Sequence, residues 1–235
     1  MNIERSFLFA FKTPKAAQKL ILGAVCSMLF FTVFFAFVMM GYLIRILCDA
    51  LEGRDAKLPD WKNLSGLFHE GLEPVLVTLT YLGPLVILIL IELLLSSLVG
   101  SSQVVFTLFS LLRFGYYVII SAIIPLALIR LVVIGSFKSA FHLERIFEFI
   151  KANPGNFLTA WGLSLALGLV TSVIFLFAFF GSSILLGIAF FFMLFIANVI
   201  AVHLYAGAYR ASAPFADDHE GDVRASITMP PPLHR

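Results

Sequence analysis

Charge is scarce in this sequence. Only 13% of its 235 residues are Asp, Glu, Lys or Arg, about half the usual share of a soluble domain. The formal net charge is +2, and no long basic face of the kind that grips nucleic acid is present, so a nucleic-acid partner is not expected. Cysteine is scarcer still: Cys26 and Cys48 are the only two, both in the first apolar run. On one continuous helix they would stand about 33 Å apart at 1.5 Å per residue, far beyond disulfide reach. Each reads as a small apolar filler. Catalytic signatures are also missing, with no nucleophile elbow, P-loop or dinucleotide glycine pattern. Ser96, Ser97, Ser121 and Ser164 are scattered through apolar runs without a histidine placed to activate them. No enzyme activity, cofactor or metal is expected.

Hydrocarbon is what the chain has in excess. It is 60% hydrophobic, carries 26 phenylalanines and has a mean hydropathy of +1.01. A globular core has no room for that surplus, so it must face lipid. Five stretches exceed the length of about 20 residues that crosses a hydrocarbon layer of about 30 Å: Leu20–Leu47, Pro74–Val99, Val104–Gly135, Phe157–Phe180 and Ser182–Ala208. A helix satisfies all its backbone groups in one crossing, which predicts an all-α, polytopic transmembrane helical bundle of about five spans. Pro84 and Pro125 predict kinks. The first run is too long for a signal-peptide core and lacks a small-x-small cleavage site, so it reads as a retained anchor. Three regions follow: an amphipathic arm over 1–19, a transmembrane domain over 20–210, and a polar, proline-rich tail over 211–235 expected to be disordered.

Two short amphipathic segments interrupt this pattern. In HLERIFEFIKANPGNF, Leu143, Ile146, Phe147 and Ile150 repeat at helical spacing opposite Glu144, Arg145, Glu148 and Lys151. That predicts an interfacial helix of about three turns, ended by Asn153-Pro154. The amino-terminal arm IERSFLFAFKTP has the same design, with Ile3, Phe7, Ala10 and Phe11 on one face. At a constant offset Glu4, Arg5, Phe7, Phe9 and Pro14 match Glu144, Arg145, Phe147, Phe149 and Pro154, the mark of an internal repeat. An interfacial helix is thus expected before spans one and four.

Lysine and arginine favour the cytoplasmic side. With five crossings, Arg45, Arg54, Lys57 and Lys62 share a side with Arg130, Lys138, Arg145, Lys151 and Arg210, nine against Arg5, Lys12, Lys15 and Lys19. If an early segment bends back, the arm replaces the first loop and the count is again nine to four. Either way the Lys138–Lys151 helix and the carboxyl terminus fall inside, in the cell membrane. Segment length favours five crossings, the reading taken here. The lysine-rich arm and the repeat favour an even number.

Ionisable groups inside lipid are costly and mark candidate sites. Glu92 interrupts LILIELLL and Arg113 sits in SLLRFGYY, nine and eleven positions from a turn near Ser101–Ser102, so a hairpin would pair them. Arg45 and Arg130, near span ends, are expected to reach lipid phosphates. His203, with Asn198 and Tyr205, either lines a polar cleft or makes interhelical hydrogen bonds. His69, Glu70 and Glu73 lack the second histidine that a zinc helix needs, and Gly71 and Pro74 argue against a regular helix there. Gly162, Ser164, Ala166 and Gly168 form small-residue strips suited to internal packing or to self-association. The stretch GYLIRILCDALEGRDAKLPDW forms an interfacial loop in which Arg45, Asp49 and Glu52 make one polar stripe. Gly53 ends the helix, Pro59 enforces an extended turn, and Trp61 anchors at the headgroups.

The order of these pieces carries a resemblance. SFLFAFKTPKAAQKLILG, then GYLIRILCDALEGRDAKLPDW, LFHEGL, TYLGP, IPLALIRL, FEFIKANPGNFL and HLYAGAYR together resemble the integral membrane family filed as domain of unknown function (DUF) 4013, over about residues 1–210. The resemblance implies a polytopic prokaryotic membrane protein and brings no activity or catalytic residues. Two functions fit the residues: a non-enzymatic membrane module whose partners are membrane lipids, a second copy or another protein, and a small-solute or ion transporter using Glu92 and Arg113.

Overall fold

The computed structural model describes residues 3–13, 15–29, 32–53, 58–99, 103–181 and 183–212. The expected tail, from 213 onward, lies outside the described residues, as do Arg54, Lys57 and the turn at Ser101–Ser102. Among the described residues there are eight α-helices and no strand: α1 (Ile3–Lys12), α2 (Ala16–Met28), α3 (Val33–Leu51), α4 (Leu64–Val99), α5 (Gln103–Ile134), α6 (Leu143–Ala152), α7 (Pro154–Phe180) and α8 (Ile184–Arg210). A 3-10 turn, Phe137–Phe141, joins α5 to α6. Five helices, α3, α4, α5, α7 and α8, are long and apolar enough to cross a membrane. The chain is a polytopic membrane protein built as a helical bundle.

The first apolar run departs from expectation. Leu20–Leu47 is two helices rather than one, and the chain reverses between them. Ser27 Oγ lies 3.4 Å from Met39 Sδ, so the end of α2 packs back on α3. At the other end Trp61 Nε1, just past α3, donates to the carbonyl of Lys19 at the start of α2 (3.2 Å). The separation of about 33 Å expected for Cys26 and Cys48 on one helix therefore falls, although neither is in a disulfide. With 13 residues α2 is about 20 Å long, roughly one leaflet and its headgroups, and it adds a partial pass to the five spanning helices. The arm accordingly lies at the end of the bundle where α8 finishes, not opposite it: Ser6 Oγ is 2.9 Å from His203 Nδ1.

Pairing of the long helices follows from their short connections. α3 and α4 run antiparallel at very close range. A Cβ on Gly41 would sit 1.9 Å from the carbonyl oxygen of Leu67, and one on Gly71 1.9 Å from that of Phe37. Only glycine permits this approach. The strip on α7 is used differently, since Gly162 and Gly168 have nothing within 4 Å. Helix α4 begins at Leu64, ten residues before the expected Pro74, and runs unbroken through Gly71, Pro74 and Pro84. Asn63 caps it by accepting from Gly66 N at 2.9 Å. Asn153 caps α7 in the same way, with Pro154 in the first turn where its missing donor costs nothing.

The core gathers where α3 and α8 run side by side, around Tyr42, Ile46, Phe195, Val199 and Leu204, all buried. Farther toward the α4–α5 and α7–α8 turns the surface is almost wholly apolar and exposed, as at Leu98 (73%), Val104 (75%) and Phe180 (79%). In water this belt would drive aggregation; in a bilayer it is the lipid contact.

Candidate interfacial site

The polar groups concentrate at the end of the bundle that holds the arm, α6 and the loop after α3. Leu58–Trp61 is a latch over α2. Tyr42 and Trp61 stack with ring centroids 4.0 Å apart and planes 8° from parallel, and Phe195 of α8 leans on both rings. Tyr42 OH donates to the Pro59 carbonyl (3.2 Å) and Leu58 N donates to Thr13 Oγ1 (3.1 Å). Lys19 Nζ donates to the Leu58 carbonyl and forms an ion pair with Asp60 at 2.8 Å. That hydrogen bond and charge hold the Asp60 carboxyl below its usual pKa. A Cβ on Gly23 would meet the Phe195 ring at 2.2 Å, so α2 must present glycine there. Alongside the latch an open cleft of about 620 Å³ separates the start of α2 from Asp60–Lys62.

Of the loop residues singled out from sequence, Pro59 and Trp61 belong to this latch. Asp49 is half-buried on α3, and Arg45 does not reach outward to phosphate. Its guanidinium makes a two-pronged bond to Glu70 of α4, at 2.6 and 2.7 Å. The α3–α4 pairing brings the two side chains together, and a planar fork on a carboxylate is the strongest geometry available to them. Glu70 is thereby committed, while His69 Nδ1 lies 2.8 Å from the Ser65 carbonyl of its own helix. Arg130 likewise turns back to the protein, its Nε donating to the Ser139 carbonyl at 3.1 Å.

Glu92 and Arg113 meet across the α4–α5 hairpin at 2.5 Å, and Arg113 Nη2 also donates to Ser110 Oγ (3.2 Å). His203 does not form a cleft with Asn198 and Tyr205. Asn198 Nδ2 donates to Leu194 O of its own helix (2.8 Å), whereas His203 turns to the arm, touching Ser6 and stacking on Phe9 at 4.8 Å.

That stack has a counterpart. Phe149 of α6 lies on Tyr209 of α8 with centroids 5.3 Å apart. Phe9 and Phe149 are the matched positions of the sequence repeat, and so are Ser6 and Ile146, all four buried. Each interfacial helix therefore has three sectors. One packs on the bundle (Ser6 and Phe9; Ile146 and Phe149). A second is apolar yet exposed (Ile3 and Phe11; Leu143 and Phe147). The third is charged, as at Glu144, Glu148 and Lys151 of α6, all exposed. Periodicity found the amphipathic face but could not divide its apolar half between protein and lipid.

Lys19, Tyr42, Leu58 and Phe195 are the latch residues that sequence reasoning missed. Their signal lay in the reversal between α2 and α3, where LFFT has no glycine or proline and only Thr32, whose hydroxyl donates to the Leu29 carbonyl (2.6 Å), marks the start of α3.

The family described as Protein of unknown function (DUF4013) matches residues 25–180. No curated protein and no solved structure matches the chain.

Proposed function

The chain belongs to the DUF4013 family of unknown function, and from that premise we propose that it is a non-enzymatic membrane module whose two interfacial helices engage the lipid headgroup region. The observation that carries this reading is the exposed apolar sector of α1 and α6. Leu143 (44%) and Phe147 (48%) stand free beside a charged face although α6 has already spent Ile146 and Phe149 on the bundle. A helix docked only to protein needs one apolar face; one lying in an interface needs a second.

The module belongs in the cell membrane with its carboxyl terminus on the cytoplasmic side. Support comes from charge: the connections at 29–32, 100–102 and 181–183 contain no lysine or arginine. Lys15, Lys19, Lys62, Lys138, Lys151 and Arg210 sit at or beyond the helix ends of the opposite side. An asymmetry of that size is what the positive-inside rule acts on. The transport alternative has less in its favour, because the two intramembrane charges it needs are spent on each other.

The test is reconstitution of the full chain into liposomes, with laurdan fluorescence reporting lipid packing and a parallel ion and solute flux assay. The double variant Leu143→Ser, Phe147→Ser should lose the protein-dependent packing change, and Glu92→Gln should keep it. No packing change in the wild type, together with flux that Glu92→Gln abolishes, would replace this reading with transport.

A further inference from the structure

The open cleft beside the latch has the chemistry of an anion site. Lys15, Lys19 and Lys62 line it against a single carboxylate, Asp60, so three positive charges less one negative leave a surplus of two. Lys19 is fixed by its bonds to Leu58 and Asp60, while Lys62 Nζ is 3.7 Å from Asp60 and its side chain 88% exposed. Gln18 adds an amide at the rim and the Trp61 ring forms part of the wall. Lys15 holds a left-handed backbone, φ 58, that side chains with a Cβ adopt at a cost; it stands just before α2, exposed, and lines the cleft.

The helix below the cleft continues the pattern in apolar form. Gln18, Leu22, Val25 and Leu29 follow one another at spacings of four and three, so they share one face that runs down α2 to the residue that ends it. The first is polar and the other three apolar, and all four are exposed, with Leu22 at 48%, Val25 at 45% and Leu29 at 40%. Leu22 itself lines the cleft, so the positive basin opens directly onto the apolar track. That track is about 10 Å of helix, the lower half of α2, deep enough to lie along the upper part of an acyl chain.

A cationic basin above an exposed apolar helix face is complementary to one kind of molecule. We infer that this cleft binds an anionic phospholipid, its phosphate among Lys15, Lys19 and Lys62 and an acyl chain along Leu22, Val25 and Leu29. The inference rests on the interfacial reading above and names a specific lipid class for it. The latch then has a purpose beyond packing: it fixes Lys19 and Trp61 as the wall of the site, so the headgroup meets a formed surface.

The experiment is native mass spectrometry of the full chain in detergent, titrated separately with phosphatidylglycerol, phosphatidylcholine and inorganic phosphate. Phosphatidylglycerol should be retained in preference to phosphatidylcholine. The exposed double variant Lys15→Gln, Lys62→Gln should weaken its binding about tenfold with an unchanged thermal midpoint. Lys138→Gln with Lys151→Gln, in the 3-10 turn before α6 and in α6 itself, should leave it intact. Equal retention of both lipids, or indifference to the Lys15 and Lys62 substitutions, overturns the assignment. So does phosphate binding with the same lysine dependence but no added affinity for the lipid, which would make the cleft a site for a free anion. Because α6 plays no part in this cleft, a silent Leu143, Phe147 variant refutes the interfacial-helix reading without touching this result.

Discussion

Trp61 lies flat on Tyr42, 4.0 Å between ring centroids, while its indole N–H reaches across to the Lys19 carbonyl. One side chain thus ties the loop after α3 both to α3 and to the start of α2. Removing it should cost more than a stacked pair alone, since the hydrogen bond and the contact with Phe195 go with it. Trp61→Ala is expected to destabilise by about 2–3 kcal/mol, and Trp61→Phe, which keeps a ring, by about 1 kcal/mol. Thermal unfolding in detergent followed by circular dichroism measures both. Equal midpoints for the two variants would mean the stack contributes nothing.

The α3–α4 crossing rests on an approach that no Cβ can share. At Gly41 and Gly71 the obstructing atoms are backbone carbonyls, which cannot swing aside as a side chain could. Gly41→Ala or Gly71→Ala should therefore separate the helices and destabilise by about 2–3 kcal/mol. Gly162→Ala, with open space around it, should be neutral or slightly stabilising through helix propensity. Thermal midpoints of the three variants, compared in one detergent, decide the point.

What could be read from the residues and what could not divide along a physical line. Periodicity and length are local, so the four later spans, the α6 helix and its cap at Asn153 were all legible. The meeting of Glu92 with Arg113 was legible too, because a hairpin fixes depth by counting from its turn. Arg45 was misread because its partner Glu70 becomes visible only once the α3–α4 register is known. The reversal between α2 and α3 was hidden for a different reason. Turns announce themselves through the glycine, proline and clustered polar residues that water-exposed loops need, and this connection offers only Thr32 among apolar neighbours. Everything that depends on the reversal was hidden with it, including the latch and the cleft.

The latch should respond to acid. Asp60 accepts a hydrogen bond from Lys19 and carries the opposite charge, so its pKa in the folded protein lies below the ordinary value of 3.8. A carboxyl with a depressed folded pKa contributes stability that is fully present above its unfolded pKa and fades as pH falls through the folded one. The tie should be constant from neutrality down to about pH 5 and weaken below the ordinary carboxylate range. Asp60→Asn should lower the midpoint slightly at neutral pH, and below that range its midpoint should approach the wild type's. A difference that persists undiminished in strong acid would contradict the sign.

The Glu92–Arg113 pair bears on both stability and function, and a double-mutant cycle separates them. The two charges bond across a hairpin whose flanks are exposed apolar side chains, with Glu92 10% and Arg113 27% exposed. Removing either partner strands the other in hydrocarbon without its counter-charge. Glu92→Leu and Arg113→Leu should therefore each cost about 3 kcal/mol. Replacing both by leucine removes the desolvation cost along with the attraction, so the double variant should return to within about 1 kcal/mol of the wild type. Unfolding midpoints in detergent test that order. The same double variant then addresses function, because a structural pair can be exchanged for packed leucines while an ion or proton pathway cannot. Proteoliposomes that keep the packing effect of the wild type after the exchange would leave the pair a tie between α4 and α5. Loss of an otherwise measurable flux in a stably folded double variant would make it the heart of a pathway.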